Sequence, residues 1–166
     1  VARGEKLPIQ QSDLKITGHA LELRVYAEDP LNDFLPSVGN LSTYKIPIGE
    51  GTRVDNGFEE GMDIPIYYDP MLAKLVTYGK TREEAIELMI KAISEYEIEG
   101  VETTLPFGDY VCKHPAFKSG DFDTHFVKNH YAPETILQQQ KTEAKIAAVL
   151  AIQNYIQEKK ILKLPK

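Results

Sequence analysis

The sequence predicts an α+β domain: a small, mostly antiparallel sheet flanked by helices, with a long C-terminal helical extension. Three observations predict it. Leu21, Leu23, Val25 and Ala27 alternate with Glu22, Arg24, Tyr26 and Glu28, the period of a strand with one face buried. Gly39, Gly49, Gly51, Gly57 and Gly61 then cut short apolar segments at hairpin spacing. After Thr81, and again beyond Pro133, the apolar residues recur at helical steps.

Taken in order, VARGEKLPIQQSDLKIT has no initiator Met and reads as the tail of a helix, a stop at Gly4 and a Pro-containing connector over residues 1–17. It is expected to continue from upstream chain. The domain proper is placed at 18–131 and the helical extension at 132–166. Asp29-Pro30 ends the first strand, because proline cannot donate to a ladder. LSTYKIPI, TRVDNGF and DIPIYYD follow as short strands. MLAKLVTYG fits strand or helix by period alone, and the β-formers Leu75, Val76, Thr77 and Tyr78 favour a strand over its C-terminal half.

Thr81 followed by Glu84 forms a capping box, and Ala85, Leu88, Met89, Ala92, Ile93 and Tyr96 continue it as the buried stripe of a helix. IEGVET is strand-like, and TLPFGDYVCKHPAF reads as a shorter helix ended by Pro115. From Glu134 to about Lys160 there is neither Gly nor Pro. Ile146, Val149, Leu150, Ile152, Tyr155 and Ile156 give that helix an apolar side wide enough to need a partner surface.

Composition excludes several function classes. The chain has 166 residues, 19 Lys+Arg against 25 Asp+Glu, and a formal charge of −6 with no basic cluster, which argues against nucleic acid. Cys112 is the only cysteine, so no intrachain disulfide forms and a reducing, cytoplasmic setting is expected. No apolar run long enough to span a membrane and no signal segment is present. GEGTR at 49–53 lacks the Lys-Ser/Thr of a phosphate loop and reads as a turn. His19, His114, His125 and His130 lack ligand spacing, so no metal site is expected.

Two groups carry chemistry. In Tyr67-Tyr68-Asp69-Pro70 the plainer reading buries one Tyr in the core and lets Asp-Pro set a turn; the sharper one puts Asp69 at a rim where it orients a cation. Glu22, Arg24, Tyr26 and Glu28 would keep a wet strand face soluble. A site reading instead uses the planar, permanently charged guanidinium of Arg24 to hold a carboxylate or an oxygen becoming an enolate.

GHALELRVYAEDPLNDFLPSVGNLSTYKIP, GEGTRVDNGFEEG, IPIYYDPMLAKLVTYGKTREEAIELMIKAISEYEIEGVETTLPF and FKSGDFDTHFV, in this order and spacing, resemble the C-terminal domain of biotin carboxylase, over about residues 4–131. The resemblance implies an ATP-grasp ligase whose upstream parts bind ATP, Mg²⁺ and bicarbonate, and whose third part completes the site. The connector 1–17 would then descend from that upstream region. In the family, ATP activates bicarbonate to carboxyphosphate, and the biotin ureido enolate attacks the released CO₂. Arg24 matches the family arginine that contacts biotin's ureido oxygen and bicarbonate, with Glu22, Tyr26 and Glu28 as candidates to hold or flank it.

Thr124 falls where the family lines its adenine pocket. Glu50 and Arg53 fall in the segment of the bacterial homodimer interface, although Glu50 stands where a bulky apolar residue is common. Leu23 replaces a frequent Cys, and YYDP replaces YYDS; neither change removes a catalytic group. Implied partners are the biotin carboxyl carrier protein or domain and a carboxyltransferase subunit, within an acetyl-CoA, propionyl-CoA or pyruvate carboxylase. The chain would supply one wall of the site and be inactive alone. Residues 134–166 would dock the carboxyltransferase or fold back on their own domain, and a non-catalytic assembly module is the alternative function.

Overall fold

Alternation at the first strand has its structural counterpart in the computed structural model, which describes residues 2–65 and 67–161. β1 (His19–Tyr26) buries Val25 fully and turns Leu21 and Leu23 toward the core, while Glu22 and Arg24 point outward. Short segments follow: β2 (Glu28–Asp29), β3 (Leu35–Pro36), β4 (Gly39–Asn40), β5 (Thr43–Lys45), β6 (Thr52–Asn56) and β7 (Asp63–Ile64). β8 (Met71–Gly79) is the organising strand, flanked by β1 and β6 in the order β1-β8-β6, both antiparallel to it.

Directly opposed residues share a face. Leu23, Leu75 and Val54 therefore lie on the covered face, and Arg24, Lys74 and Asp55 on the open one, together with Glu22, Val76 and Arg53. The covered face is closed by α1 (Arg82–Glu95), whose Ala85, Ile86, Met89 and Ala92 are buried against Leu72 and Leu75. Thr77 is fully buried, and its hydroxyl donates to the carbonyl of Ala85 at 2.8 Å, locking sheet to helix. β9 (Glu97–Glu99) pairs with β5, and Gly100 turns the chain at φ 101°, where a Cβ would run into the Asn40 carbonyl oxygen. Only glycine fits there.

α2 (Leu105–Lys113), α3 (Pro115–Ser119) and α4 (Phe126–His130) then pack one flank. An aromatic group of Phe34, Phe107, Tyr110, His114, Phe126 and Tyr131 joins them to the β2–β3 loop. α5 (Pro133–Ile161) leaves the domain through Ile136, which is 3% exposed. Beyond it Ile146, Val149, Leu150, Ile152, Tyr155 and Ile156 are each about half exposed, so this apolar side is not folded back on the domain. Residues 162–166 of the expected extension lie outside the described residues.

Several expectations are corrected. β8 is strand along its whole length, because β1 pairs with it from Met71 to Gly79 and β6 pairs with its other side from Ala73 to Thr77. Neither Tyr67 nor Tyr68 enters the core: at 90% and 83% exposure both point to solvent, and β7 ends at Ile64, while Ile66 of the expected DIPIYYD strand lies outside the described residues. Thr81 accepts from Glu84 N at 3.2 Å as expected, but the Glu84 carboxylate reaches one residue further back, to Lys80 N at 2.7 Å. Pro115 does end α2 and also opens α3, capped by His114 Nδ1 accepting from Ala116 N at 3.2 Å.

Candidate functional site

The open sheet face develops a charged corner where β1 ends. Arg24 and Tyr26 are two residues apart on the strand, so both project from the same face, and the Arg24 Cζ lies 4.9 Å from the Tyr26 ring centroid. Arg24 Nε donates to Met71 Sδ at 3.4 Å, and Nη2 stands 3.8 Å from Asp69 Oδ2. Side chains of Arg24 and Asp69 are 52% and 47% exposed, so the pair faces solvent without being fully immersed in it. Asp69 is itself held: its Oδ1 accepts from Met71 N at 3.0 Å, an Asx-type turn around Pro70.

The local electrostatics follow. Burial, then the Asp69 charge, raises the Glu28 carboxyl above the usual carboxylate range, with Arg24 opposing. The Tyr26 hydroxyl is raised by the same two causes in the same order. Two carboxylates thus converge near one guanidinium, yet neither takes its fork: among the described residues, the terminal nitrogens of Arg24 make no hydrogen bond. A cation held from behind with its donors open can bind an anionic oxygen.

The strand carrying Arg24 is fixed from its outer edge by Thr104, 6% exposed at the start of α2. Its Oγ1 accepts from Tyr26 N at 3.0 Å and donates to Arg24 O at 3.2 Å, and its own N donates to Tyr26 O at 3.1 Å. The backbone on both sides of the Arg24–Tyr26 step is therefore pinned, although Thr104 is distant in sequence.

Of the expected flanking groups, Tyr26 lies under the guanidinium and Glu28 is electrostatically coupled to it, but Glu22 forms no ion pair with it. Arg53 shares the open face with Arg24 and pairs with Asp55 at 3.2 Å; Glu50 sits exposed in the turn before β6. Thr124 is exposed in the turn before α4, where Asp123 accepts from His125 N at 2.8 Å, and among the described residues no bond links it to the Arg24 corner. Sequence reasoning missed Met71 and Thr104. A TT-L-P run before a helix was the available signal for Thr104. No cluster of His, Cys, Asp or Glu able to hold a metal occurs among the described residues, and no described helix is long and apolar enough to cross a membrane. At the Arg24 corner the described residues thus present a cation to an oxyanion.

Comparison with known proteins places this arrangement. The biotin carboxylase C-terminal domain model matches residues 22–129. Biotin carboxylase 1 of Bacillus subtilis is 47% identical over 130 residues, covering 78% of this chain and 29% of that protein. The mitochondrial propionyl-CoA carboxylase alpha chain of Mus musculus is 48% identical over 133 residues, covering 79% and 18%. The solved biotin carboxylase domain of a thermophilic 2-oxoglutarate carboxylase bound to bicarbonate superposes with TM-score 0.76 at 38% identity, over 79% of this chain and 31% of that one. The chain thus spans less than a third of the length of these relatives. With the family model covering most of the sequence, the chain belongs to the biotin carboxylase C-terminal domain family.

Proposed function

We propose that this chain forms the C-terminal wall of a biotin carboxylase active site, in a protein that carboxylates carrier-bound biotin using ATP and bicarbonate. The observation that carries the reading is Arg24, anchored at Nε, with no hydrogen bond at its terminal nitrogens among the described residues, on the exposed sheet face. Arg24 is the group that holds the substrate oxygen. As the ureido nitrogen loses its proton, negative charge grows on the carbonyl oxygen, and a cation already in place stabilises it without reorganising. Thr104 and the sheet hold the backbone from which it projects. ATP and Mg²⁺ would supply bicarbonate activation and be held mainly by residues outside these 166, with Thr124 of this chain at the adenine edge. Glu50 and Arg53 would lie at a homodimer interface.

The test is Arg24→Ala in the full-length carboxylase. Biotin carboxylation should fall about 10²–10³-fold in kcat, the usual loss of an oxyanion donor, while ATP binding measured by calorimetry stays unchanged. Carboxylation at near wild-type rate would reject the role given to Arg24.

A second reading, assembly on a carboxyltransferase subunit, is favoured by the half-exposed apolar residues of α5. Truncation after Ile136 keeps the buried anchor and removes them. Sedimentation with the carboxyltransferase should then show lost association, and an unchanged complex would eliminate the docking role.

A further inference from the structure

A break in the strand pairing at Arg24 points to residues that no motif marks. The β1–β8 register runs regularly through Arg24↔Lys74 and Val25↔Ala73, then shifts so that Tyr26 faces Met71. The shift is a bulge at Leu72. It makes Leu72 and Ala73 both core residues, at 0% and 2% exposure, and delivers Met71 to the open face, where regular alternation would have set Leu72 beside the guanidinium. Ala27 N donating to Pro70 O and Gly57 N donating to Leu72 O, both at 2.8 Å, hold the bulge from either side.

The exchange of a leucine for a methionine at that spot has a chemical consequence. A thioether is an uncharged, weak acceptor, so it can orient the Nε–H without cancelling the positive charge. A carboxylate at hydrogen-bond distance would instead take the fork in a bidentate pair and compete with any incoming oxyanion. Asp69 stops short of that at 3.8 Å, because its other oxygen is tied to Met71 N.

Resting on the biotin carboxylase reading, we propose that Met71 and Asp69 are positioning residues for Arg24: the thioether fixes the guanidinium through Nε, and the carboxylate balances its charge from beyond hydrogen-bond distance. Both terminal nitrogens are thereby left to the substrate oxygen. The Tyr26 ring, 4.9 Å from Cζ, is the floor against which the guanidinium plane rests.

The test uses the full-length carboxylase with free biotin, bicarbonate and ATP. Met71→Leu keeps size and apolarity but not the acceptor, and should lower kcat about tenfold with the KM for ATP unchanged. Met71→Gln, which restores an acceptor at similar reach, should recover most of that loss. Asp69→Asn should lower kcat while lowering the KM for bicarbonate, since a less compensated guanidinium attracts an anion more strongly. In an Arg24→Ala background neither substitution should have further effect, as expected for residues acting through one group. If Arg24→Ala is inactive while Met71→Leu and Asp69→Asn keep wild-type kcat and KM, the positioning role is overturned and the family mechanism stands. If Arg24→Ala is fully active, the biotin carboxylase role of Arg24 falls and the positioning role with it.

Discussion

Two arginines of this domain lie over aromatic rings at nearly equal distances, Arg24 at 4.9 Å from Tyr26 and Arg82 at 4.8 Å from Phe117, yet their surroundings differ in kind. Arg82 opens α1 and is largely consumed by the fold. Nη2 donates to the Phe117 carbonyl, Nη1 faces His19 Nε2 at 3.3 Å, and the Phe122 ring lies 5.9 Å away. Only its buried Nε lacks a partner among the described residues. Arg24 shows the reverse: among the described residues it has one weak bond at Nε, a loose ion pair, and no hydrogen bond at its terminal nitrogens. A guanidinium whose fork is filled by its own chain holds structure together, and one whose fork is left empty is available for chemistry.

The largest expected effect comes from breaking the filled one. Arg82→Ala removes a clamp between β1, α1 and the α3 segment, losing a charged hydrogen bond and two ring contacts. Chemical denaturation should show a loss of about 3 kcal/mol. Arg24→Ala should stay within about 0.5 kcal/mol of wild type, as exposed substitutions usually do. Equal losses at both positions would erase the distinction between them.

A smaller effect, set by pH, sharpens the filled region. Cys112 lies in α2, 4% exposed, and burial first and Asp109 second push its thiol up to about 11, with Arg82, Lys113 and Lys118 opposing. The unfolded thiol ionises near 9 and the folded one resists. The stability it contributes is therefore complete below about pH 9 and is lost as pH climbs from there through about 11, amounting to roughly 2–3 kcal/mol. Tyr44 and Tyr96, raised chiefly by burial, add losses of the same sign at higher pH. Wild type should therefore lose stability between about pH 9 and 11 more steeply than Cys112→Ala, and parallel curves would show that the thiol is not buried as described.

How much of this was legible depended on whether the signal was local. Alternation at 21–28 identified β1 and its open face, and Thr81 marked the helix start, because period and capping act within one turn or pleat. Arg24 was visible only as one charge among several until the neighbouring blocks supplied a resemblance. Met71 was hidden because a bulge breaks the period that pattern reading relies on. Arg82 reads in sequence as an ordinary charge in the first helical turn, and nothing nearby announces that Phe117 and Phe122 will fold over it. Tyr67 and Tyr68 misled for the opposite reason: two aromatics at a strand end suggest a core, but the strand stops before reaching them.

The smallest effect concerns what holds Arg24's own backbone, and it bears on whether an open guanidinium still needs a rigid base. Thr104 Oγ1 serves two groups, accepting from Tyr26 N and donating to Arg24 O. Thr104→Val keeps the shape and the Thr104 backbone bond to Tyr26 O but removes both side-chain bonds, leaving a part-buried N–H and C=O without partners. The cost should be about 1–2 kcal/mol, with faster hydrogen exchange at the Tyr26 amide, and Thr104→Ser should restore both. On the proposed function, the same substitution in the full-length protein should slow biotin carboxylation severalfold, because a strand free to shift by a fraction of an ångström carries the guanidinium with it. If Tyr26 exchange rises but carboxylation is untouched, the rigidity that matters resides in the Met71 and Tyr26 contacts at the guanidinium itself, not in the strand beneath it.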